Sequence, residues 1–156
     1  MEDINFNSIS DKEIIFKDVS SLNDSFIDYN DSLKILHVNI RSLNSNLVHL
    51  QTLVERLKVK PSIIICSEAW LLNCTEFGDL TGYLCFSNNS IINKADGLLM
   101  YINDKLQTDT IVEEYGSLKI LSTTLEIKNN ELIKISGIYR CFGLKEEIFI
   151  KNMLEF

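Results

Sequence analysis

The chain has 156 residues, of which 46% are hydrophobic, and a formal net charge of −7 at pH 7. That length suits one domain with a buried core, and the sequence has no run of about 18 apolar residues that would indicate a transmembrane span. The acidic, polar start lacks the basic and apolar segments of a secretory signal, so we expect an intracellular protein, nuclear or cytoplasmic, that is not secreted.

The acidity of the chain is unevenly distributed. Residues 1–31 hold eight acidic residues and two lysines, a balance of −6, whereas residues 32–156 hold fourteen acidic and thirteen basic residues, a balance of −1. The first segment has poor apolar periodicity, and we predict an acidic, loosely ordered leader over 1–31 with at most one short helix or strand. The predicted domain over 32–156 is nearly neutral, so its charge does not exclude a nucleic-acid partner.

A strand–helix–strand unit begins the predicted domain. LKILHVNI at 33–40 is a short apolar and β-branched run, which predicts a buried strand. Leucine and valine at helical spacing predict an amphipathic helix over 46–58, and Pro61 stops it. SIIIC at 62–66 predicts a second strand that is parallel to the first and apolar on both faces.

Beyond this unit the pattern changes to strands without long helices between them. The paired asparagines at 129–130 suit a tight hairpin turn between the last two strands. The final segment, 145–156, predicts a helix with one buried side. The predicted strands cover residues 83–87, 97–102, 107–113, 118–127 and 132–140.

The cysteines carry no recognisable metal or disulfide pattern. The chain has four, Cys66, Cys74, Cys85 and Cys141, and none form a CxxC pair. We expect reduced thiols rather than a disulfide framework or a zinc site.

Two polar residues are predicted to meet at one edge of the sheet. Asn39 lies near the end of the first strand and Glu68 follows the second, and the carboxyl ends of parallel strands share the edge where ligand sites gather. A carboxylate such as Glu68 can anchor Mg²⁺, which prefers hard oxygen ligands, and an amide can orient water or phosphate. Each residue also has a structural interpretation, because Glu68 could cap a turn and Asn39 could end a strand.

Four short motifs follow one another along the chain: NIRSL at 39–43, SEAWL at 67–71, ADGLLMYI at 95–102 and IYR at 138–140. Their order resembles that in the endonuclease/exonuclease/phosphatase superfamily, and most of all in the endonuclease domains of non-LTR retrotransposons. The resemblance covers about residues 33–156. It implies an α+β sandwich of two packed mixed sheets with flanking helices, of which this chain holds the N-terminal portion, and Mg²⁺-dependent hydrolysis of phosphodiesters in DNA.

The resemblance also implies roles for individual residues. Asn39 matches the asparagine that places the scissile phosphate and the attacking water, and Glu68 matches the glutamate that holds the cation. Tyr139 matches a position close to the substrate phosphate, and it is equally interpretable as a strand aromatic. Arg41 and Arg140 are candidate phosphate contacts, although Arg41 also suits a plain surface position.

The chain departs from the superfamily pattern in two ways. Asp96-Gly97 stands where members of the superfamily usually have a glycine pair. Cys141-Phe142 stands where they have proline. A G-D-F-N strand and a terminal S-D-H motif, which supply the activating aspartate, its asparagine partner and a phosphate-contacting histidine, have no counterpart. We therefore expect weak or lost Mg²⁺ binding and a chain that is catalytically incomplete alone. His37 is expected to be a packed, hydrogen-bonded residue rather than the missing base, and His49 to lie at the surface.

Three hypotheses follow. The first is a fragment of a DNA endonuclease domain that is poorly soluble, does not nick DNA by itself and self-associates through an exposed sheet face. The second is a non-enzymatic interaction module derived from half of a nuclease domain. The third is an unrelated α/β domain, which a large separation between Asn39 and Glu68 would favour.

Overall fold

The computed structural model describes residues 18–28, 32–71, 78–88, 95–106, 108–115, 118–126, 131–141 and 143–155. These residues form three helices and seven strands in two sheets. In chain order the elements are α1 (Val19–Asp28), β1 (Ile35–Asn39), α2 (Leu43–Arg56), β2 (Ile63–Ser67), β3 (Tyr83–Asn88), β4 (Leu98–Asn103), β5 (Thr108–Tyr115), β6 (Leu118–Glu126), β7 (Leu132–Arg140) and α3 (Glu146–Glu155). The predicted turn at 129–130 and Cys74 lie outside the described residues.

The first sheet has the strand order β1-β2-β4-β3. Strands β1 and β2 are parallel, as predicted, with Asn39 opposite Ser67 in the register. Strand β4 runs antiparallel to both β2 and β3. Every residue of β2 is buried, which fits a strand with apolar side chains on both faces.

Helix α2 connects β1 to β2 and starts three residues earlier than the leucine spacing predicts. The side-chain oxygen of Ser42 accepts a hydrogen bond from the backbone N–H of Ser45, so the serine of NIRSL caps the helix. Leu43 in the first turn is 1% exposed and packs in the core. Capping by Ser42 therefore places the helix directly after the β1 edge.

The second sheet is an antiparallel meander with the order β5-β6-β7. It packs against the first sheet, and Gly137 on β7 lies where the two sheets are in close contact. A Cβ atom at this position would lie 3.0 Å from Cγ2 of Ile65 on β2 and 3.5 Å from Cδ2 of Leu98 on β4. A larger side chain at 137 would push the two sheets apart.

The alternation of side chains along the strands divides the core into two layers. One layer lies between α2 and the outer face of the first sheet, and the other lies between the two sheets. The outer layer includes Leu43, Leu50, Val54, Ile64, Cys66, Leu99 and Tyr101. The layer between the sheets includes Ile63, Ile65, Leu98, Met100, Ile102, Leu121 and Leu125.

Helix α1 lies inside the segment predicted as an acidic leader. Its Asn23 is 7% exposed and bridges the end of α2, because the amide donates to the carbonyl of Arg56 and its oxygen accepts from the N–H of Lys58 at 2.7 Å. One short helix in this segment was among the alternatives that the sequence left open, whereas the domain boundary at 31/32 stays a prediction.

The architecture is mixed α+β, with two packed sheets and flanking helices, as expected from the sequence. None of the helices in the described part of the chain has the length and apolar character needed to cross a bilayer.

Candidate functional site

The turns that follow β1 and β2 are tied together through their backbones. The N–H of Ser42 donates to the carbonyl of Glu68 at 2.9 Å, and the N–H of Leu43 donates to the carbonyl of Ala69 at 2.9 Å. The NIRSL and SEAWL segments therefore form one joined edge of the sheet, which we call the rim.

The segment before β4 clamps the turn at Glu68 from the other side. The N–H of Ala69 donates to the carbonyl of Gly97 at 3.1 Å, and the N–H of Trp70 donates to the carbonyl of Asp96 at 3.0 Å. Gly97 has a φ of 120°, a conformation that residues with a Cβ rarely adopt. The glycine thus allows the ADGLL segment to follow the turn that carries Glu68.

Backbone strain is concentrated at this rim. Four described non-glycine residues have positive φ angles, namely Arg41 at 45°, Ser42 at 83°, Glu68 at 53° and Trp70 at 55°. Such a conformation costs about 1–3 kcal/mol per residue and persists only where the surrounding structure imposes it. Strain of this kind clusters at functional sites, so it marks the rim as a candidate site independently of any motif.

Asn39 and Glu68 are in direct contact at the rim. The Asn39 side-chain amide donates to Oε1 of Glu68 at 2.8 Å. The strand order predicted a shared edge, and the register of β1 on β2 places Asn39 beside Ser67, directly before Glu68. A large separation between these two residues would have favoured an unrelated domain. The contact shows that they are not separated.

His37 lies on the same face of β1 as Asn39, one pleat further from the rim. Its Nε2 is within 3.2 Å of the Ser67 hydroxyl, which confirms a hydrogen-bonded histidine. The side chain is exposed and not packed, as are those of Ile35 and Asn39, because β1 is an edge strand of the described sheet. His49 is also exposed, as predicted.

Tyr139 of β7 reaches the rim from the second sheet. Burial, followed by the nearby carboxylates of Asp96 and Glu68, raises the pKa of Tyr139 to about 12. The side chains of Asp96 and Glu68 are thus near enough to Tyr139 to act on the charge of its hydroxyl. Three of the site residues expected from the sequence, Asn39, Glu68 and Tyr139, therefore lie in one region.

The two arginines occupy different places. Arg140 follows Tyr139 in β7, so its side chain points to the other face of the sheet, where the guanidinium lies 5.9 Å from the ring centre of Phe149 in α3. Arg41 is exposed and, with Asn39 and His49, lines a cleft of about 360 Å³ between β1 and α2. The structure thus places Arg41, and not Arg140, beside the Asn39–Glu68 pair.

Three residues near the rim were not expected from the sequence. Asp96 is 2% exposed, although it is a carboxylate. The Asn46 side-chain amide donates to the carbonyls of Ile40 and Arg41 at 2.9 and 3.0 Å and so holds the turn after β1. Lys119 lies opposite Tyr139 in the register of β6 and β7. Only Asp96 had a signal in the sequence, because Asp96-Gly97 departs from the glycine pair of the motif that this segment resembles.

The chemistry of the rim suits a hard cation held weakly. Glu68 offers a carboxylate and Asn39 an amide oxygen, which are ligand types that Mg²⁺ accepts while it keeps several waters. Within the described ranges, no group of three or more His, Cys, Asp or Glu side chains is arranged to hold a metal ion. A cation at this rim would have to be held by the Glu68 carboxylate together with the Asn39 amide oxygen and water.

No known family profile matches the chain, and no curated protein matches its sequence. Among solved structures, the chain is similar to the 3′ phosphatase NExo from Neisseria, in a structure bound to a product DNA hairpin. The TM-score is 0.52 at 16% identity, and the match covers 79% of this chain and 48% of the other. The chain has the fold of part of that enzyme. It spans about half the length of this neighbour.

The likeness shows the kind of fold that the motifs implied, and it shows no more than the fold. At 16% identity it supports neither a retrotransposon origin nor an activity for this chain.

Proposed function

We propose that this chain carries the cation-binding part of a Mg²⁺-dependent DNA endonuclease domain of the retrotransposon type, and that it does not cut DNA alone. The observation that carries the proposal is the Asn39–Glu68 contact of 2.8 Å at a rim whose backbone is strained and clamped on both sides. A hydrogen-bonded carboxylate in a fixed position is what a hard cation requires.

The fold gives further support. The structural neighbour is a 3′ phosphatase bound to a DNA hairpin, and phosphodiester hydrolysis requires the same stabilisation of charge on a phosphate. The retrotransposon type rests on the order of NIRSL, SEAWL, ADGLLMYI and IYR along the chain.

We assign the roles from the rim outward. Glu68 holds Mg²⁺, which stabilises the developing negative charge of the phosphate when it is bound. Asn39 donates to Glu68 and fixes the direction of the carboxylate, and its remaining amide hydrogen is available to water or phosphate. Arg41 lies in the adjacent cleft, where a phosphate of the DNA backbone can reach it. Arg140 is the weakest of the predicted contacts because it packs on Phe149.

Catalytic incompleteness is part of the proposal. An amide cannot act as a base, and His37, which shares a face of β1 with Asn39, is hydrogen-bonded to Ser67 one pleat further from the rim. The match covers 48% of the neighbour, so about half of that enzyme has no counterpart in the matched part of this chain. We therefore expect binding of the cation without turnover.

The experiment compares cation binding with DNA nicking in the full chain. Mn²⁺ binding is measured by electron paramagnetic resonance for wild type, Glu68→Ala and the control Glu126→Ala, which alters an exposed carboxylate at the end of β6. We expect at least about a tenfold loss of affinity in Glu68→Ala and none in the control. Equal affinity in all three proteins contradicts the assignment of Glu68.

Supercoiled plasmid and Mg²⁺ are then incubated with the same proteins. We expect no nicking above background from any of them. Robust nicking by wild type that disappears in Glu68→Ala contradicts the proposed incompleteness, while it supports the nuclease assignment.

A second candidate function, a binding module derived from a nuclease half, is favoured by one observation. Among the described strands, β1 and β7 each pair on one side only, and they expose Ile35 by 46% and Leu132 by 71%. Exposed apolar edges are suited to pairing with another chain. Two results together favour this function over the first. One is cooperative unfolding at the same temperature with and without Mg²⁺, and the other is a stable complex with another chain.

A further inference from the structure

The rim carries an exposed tryptophan between two buried residues. Trp70 is 38% exposed, whereas its neighbours Ala69 and Leu71 are each 1% exposed. The burial of these neighbours anchors the chain on both sides of the tryptophan. The large indole ring is therefore presented to solvent from a segment that is itself fixed in the core.

The backbone of Trp70 is held in a strained conformation. Its φ is 55°, which is rare for a bulky residue. Its N–H donates to the carbonyl of Asp96 at 3.0 Å, and a Cβ atom at Gly97 would lie 3.5 Å from its backbone nitrogen. The segment before β4 thus packs directly on the backbone of Trp70 and maintains the strain. A tryptophan on a fixed backbone has two side-chain torsions, so a ligand that stacks on the ring orders few degrees of freedom.

The ring lies next to the proposed cation site. Trp70 follows Glu68 by two residues, and two residues of chain span at most about 7 Å. Successive bases of one strand in duplex DNA are separated by about 3.4 Å. A DNA strand whose phosphate lies at Glu68 therefore has a base within reach of the ring, about one or two nucleotides from that phosphate.

We propose that Trp70 binds an unpaired base of the DNA by stacking, so that this site takes single-stranded DNA in preference to the interior of a duplex. Every base has a π-face, and stacking on an aromatic side chain stabilises a complex with little dependence on sequence. Inside a duplex both faces of a base are covered by the neighbouring bases. The inference rests on the proposed function, because the phosphate at Glu68 sets the position of the strand.

The stacking is tested by fluorescence. Trp70 is the only tryptophan in the chain, so tryptophan emission reports on this ring alone. The full chain is titrated in Mg²⁺ with a short thymidine oligonucleotide, and the anisotropy of a dye on the oligonucleotide measures binding. An abasic strand of equal length is the control, because it carries the same phosphates without bases. We expect the thymidine strand to reduce the emission at least about twofold and the abasic strand to leave it unchanged.

Three results of this titration overturn the inference. They are equal quenching by the two strands, binding of the thymidine strand without quenching, and no binding of the thymidine strand. The same thymidine strand is then hybridised to its complement. We expect the blunt duplex to bind at least about tenfold more weakly than the single strand. Equal affinity for the two forms contradicts the preference for an unpaired base.

Substitution tests how much the ring contributes. We expect Trp70→Leu to bind the thymidine strand about tenfold more weakly than wild type, and Trp70→Tyr, which keeps an aromatic face, to bind within about threefold of wild type. Leu84→Ala is the control, because Leu84 is 47% exposed and pairs with Ile102 at the other end of the first sheet from the rim. Equal affinities of wild type and a folded Trp70→Leu protein overturn the inference. If Trp70→Leu does not fold, the quenching of wild type still decides.

The salt dependence of binding separates stacking from a contact with phosphate. A phosphate contact releases counterions, whereas stacking does not. We expect Trp70→Leu to keep the salt slope of wild type and Arg41→Ala to reduce it. A reduced slope in Trp70→Leu contradicts stacking.

The failure of this inference and that of the proposed function are distinguishable. Quenching by the thymidine strand in a chain that binds no Mn²⁺ supports the role of Trp70 and contradicts the cation site. Mn²⁺ binding that is lost in Glu68→Ala, without quenching by the thymidine strand, supports the cation site and overturns the role of Trp70.

Discussion

The side-chain amide of Asn39 donates to Oε1 of Glu68 across 2.8 Å, and this bond joins the last residue of β1 to the turn that follows β2. The two residues are 29 positions apart in the chain and are brought together by parallel pairing of their strands. The Asn39 amide N–H faces the carboxylate, so a hydrogen bond stabilises the negative charge of Glu68 although Asn39 itself carries no charge.

Replacement of Asn39 by aspartate tests whether a cation belongs at this pair. Asn39→Asp places a second carboxylate against Glu68, and two carboxylates at this distance repel unless a proton or cation lies between them. We expect the melting temperature to fall by about 2–4 °C for each 1 kcal/mol of repulsion and to recover on addition of Mg²⁺ or Mn²⁺. The measurement is thermal unfolding by circular dichroism with and without the cation. A melting temperature that stays low in both conditions contradicts a cation site at the pair.

Replacement of Gly97 tests the backbone clamp on Glu68. Gly97→Ala imposes a side chain at a φ of 120°, and we expect a loss of about 1–3 kcal/mol in the free energy of unfolding. Gly82→Ala is the matched control, because Gly82 has a φ of 83° and an added methyl group there would have no atom within 4 Å. Urea unfolding measures stability, and Mn²⁺ titration measures the site. We expect both variants to lose stability and only Gly97→Ala to lose cation affinity; equal affinities would show that the clamp does not position Glu68.

The buried thiol of Cys66 predicts a loss of stability at alkaline pH. Burial raises the pKa of Cys66 from the ordinary value of 9.0 to about 12. Below pH 9 the thiol is protonated in both the folded and the unfolded chain, so its contribution is complete. Between pH 9 and 12 only the unfolded chain loses the proton, and the free energy of unfolding falls by about 1.4 kcal/mol per pH unit from this one group.

The check is urea unfolding at several pH values from about 8 to about 10 for wild type and Cys66→Ala. The alanine variant is less stable throughout because it leaves a small cavity in the core. We expect its stability to depend less steeply on pH than that of wild type. Parallel curves for the two proteins would show that Cys66 does not titrate as its burial requires.

Self-association through an exposed sheet face stays a prediction, and Ile35 is the residue that tests it. Ile35 is 46% exposed on β1, and a lysine on an edge strand discourages pairing with another chain. We expect Ile35→Lys to lower the apparent mass in sedimentation equilibrium relative to wild type at the same concentration. Leu84→Lys is the matched control, since Leu84 is 47% exposed on β3 at the opposite edge of this sheet. A wild type that is monomeric at all concentrations contradicts the prediction.

Local patterns in the sequence were sufficient for the elements and for one part of the site. The apolar runs predicted β1 and β2 to within two residues, and the parallel pairing of two strands around a helix placed Asn39 and Glu68 at one edge. Both predictions rest on short-range apolar periodicity and on the rule that two neighbouring strands joined through a helix run parallel. Both can be inferred from one sequence without any tertiary information.

Tertiary structure alone decided that Asp96 is buried at that edge and that Arg140 lies away from it. Asp96 stands 57 positions after Asn39 and 43 before Tyr139, and nothing in the spacing of the three indicates that β4 and β7 bring them to one rim. The side chain of Arg140 points to the opposite face of the sheet from that of Tyr139, because side chains alternate along β7, and it packs on Phe149. The burial of the Asp96 carboxylate arises from contacts between distant segments, and for this reason the sequence predicted the Asn39–Glu68 pair and not this buried neighbour.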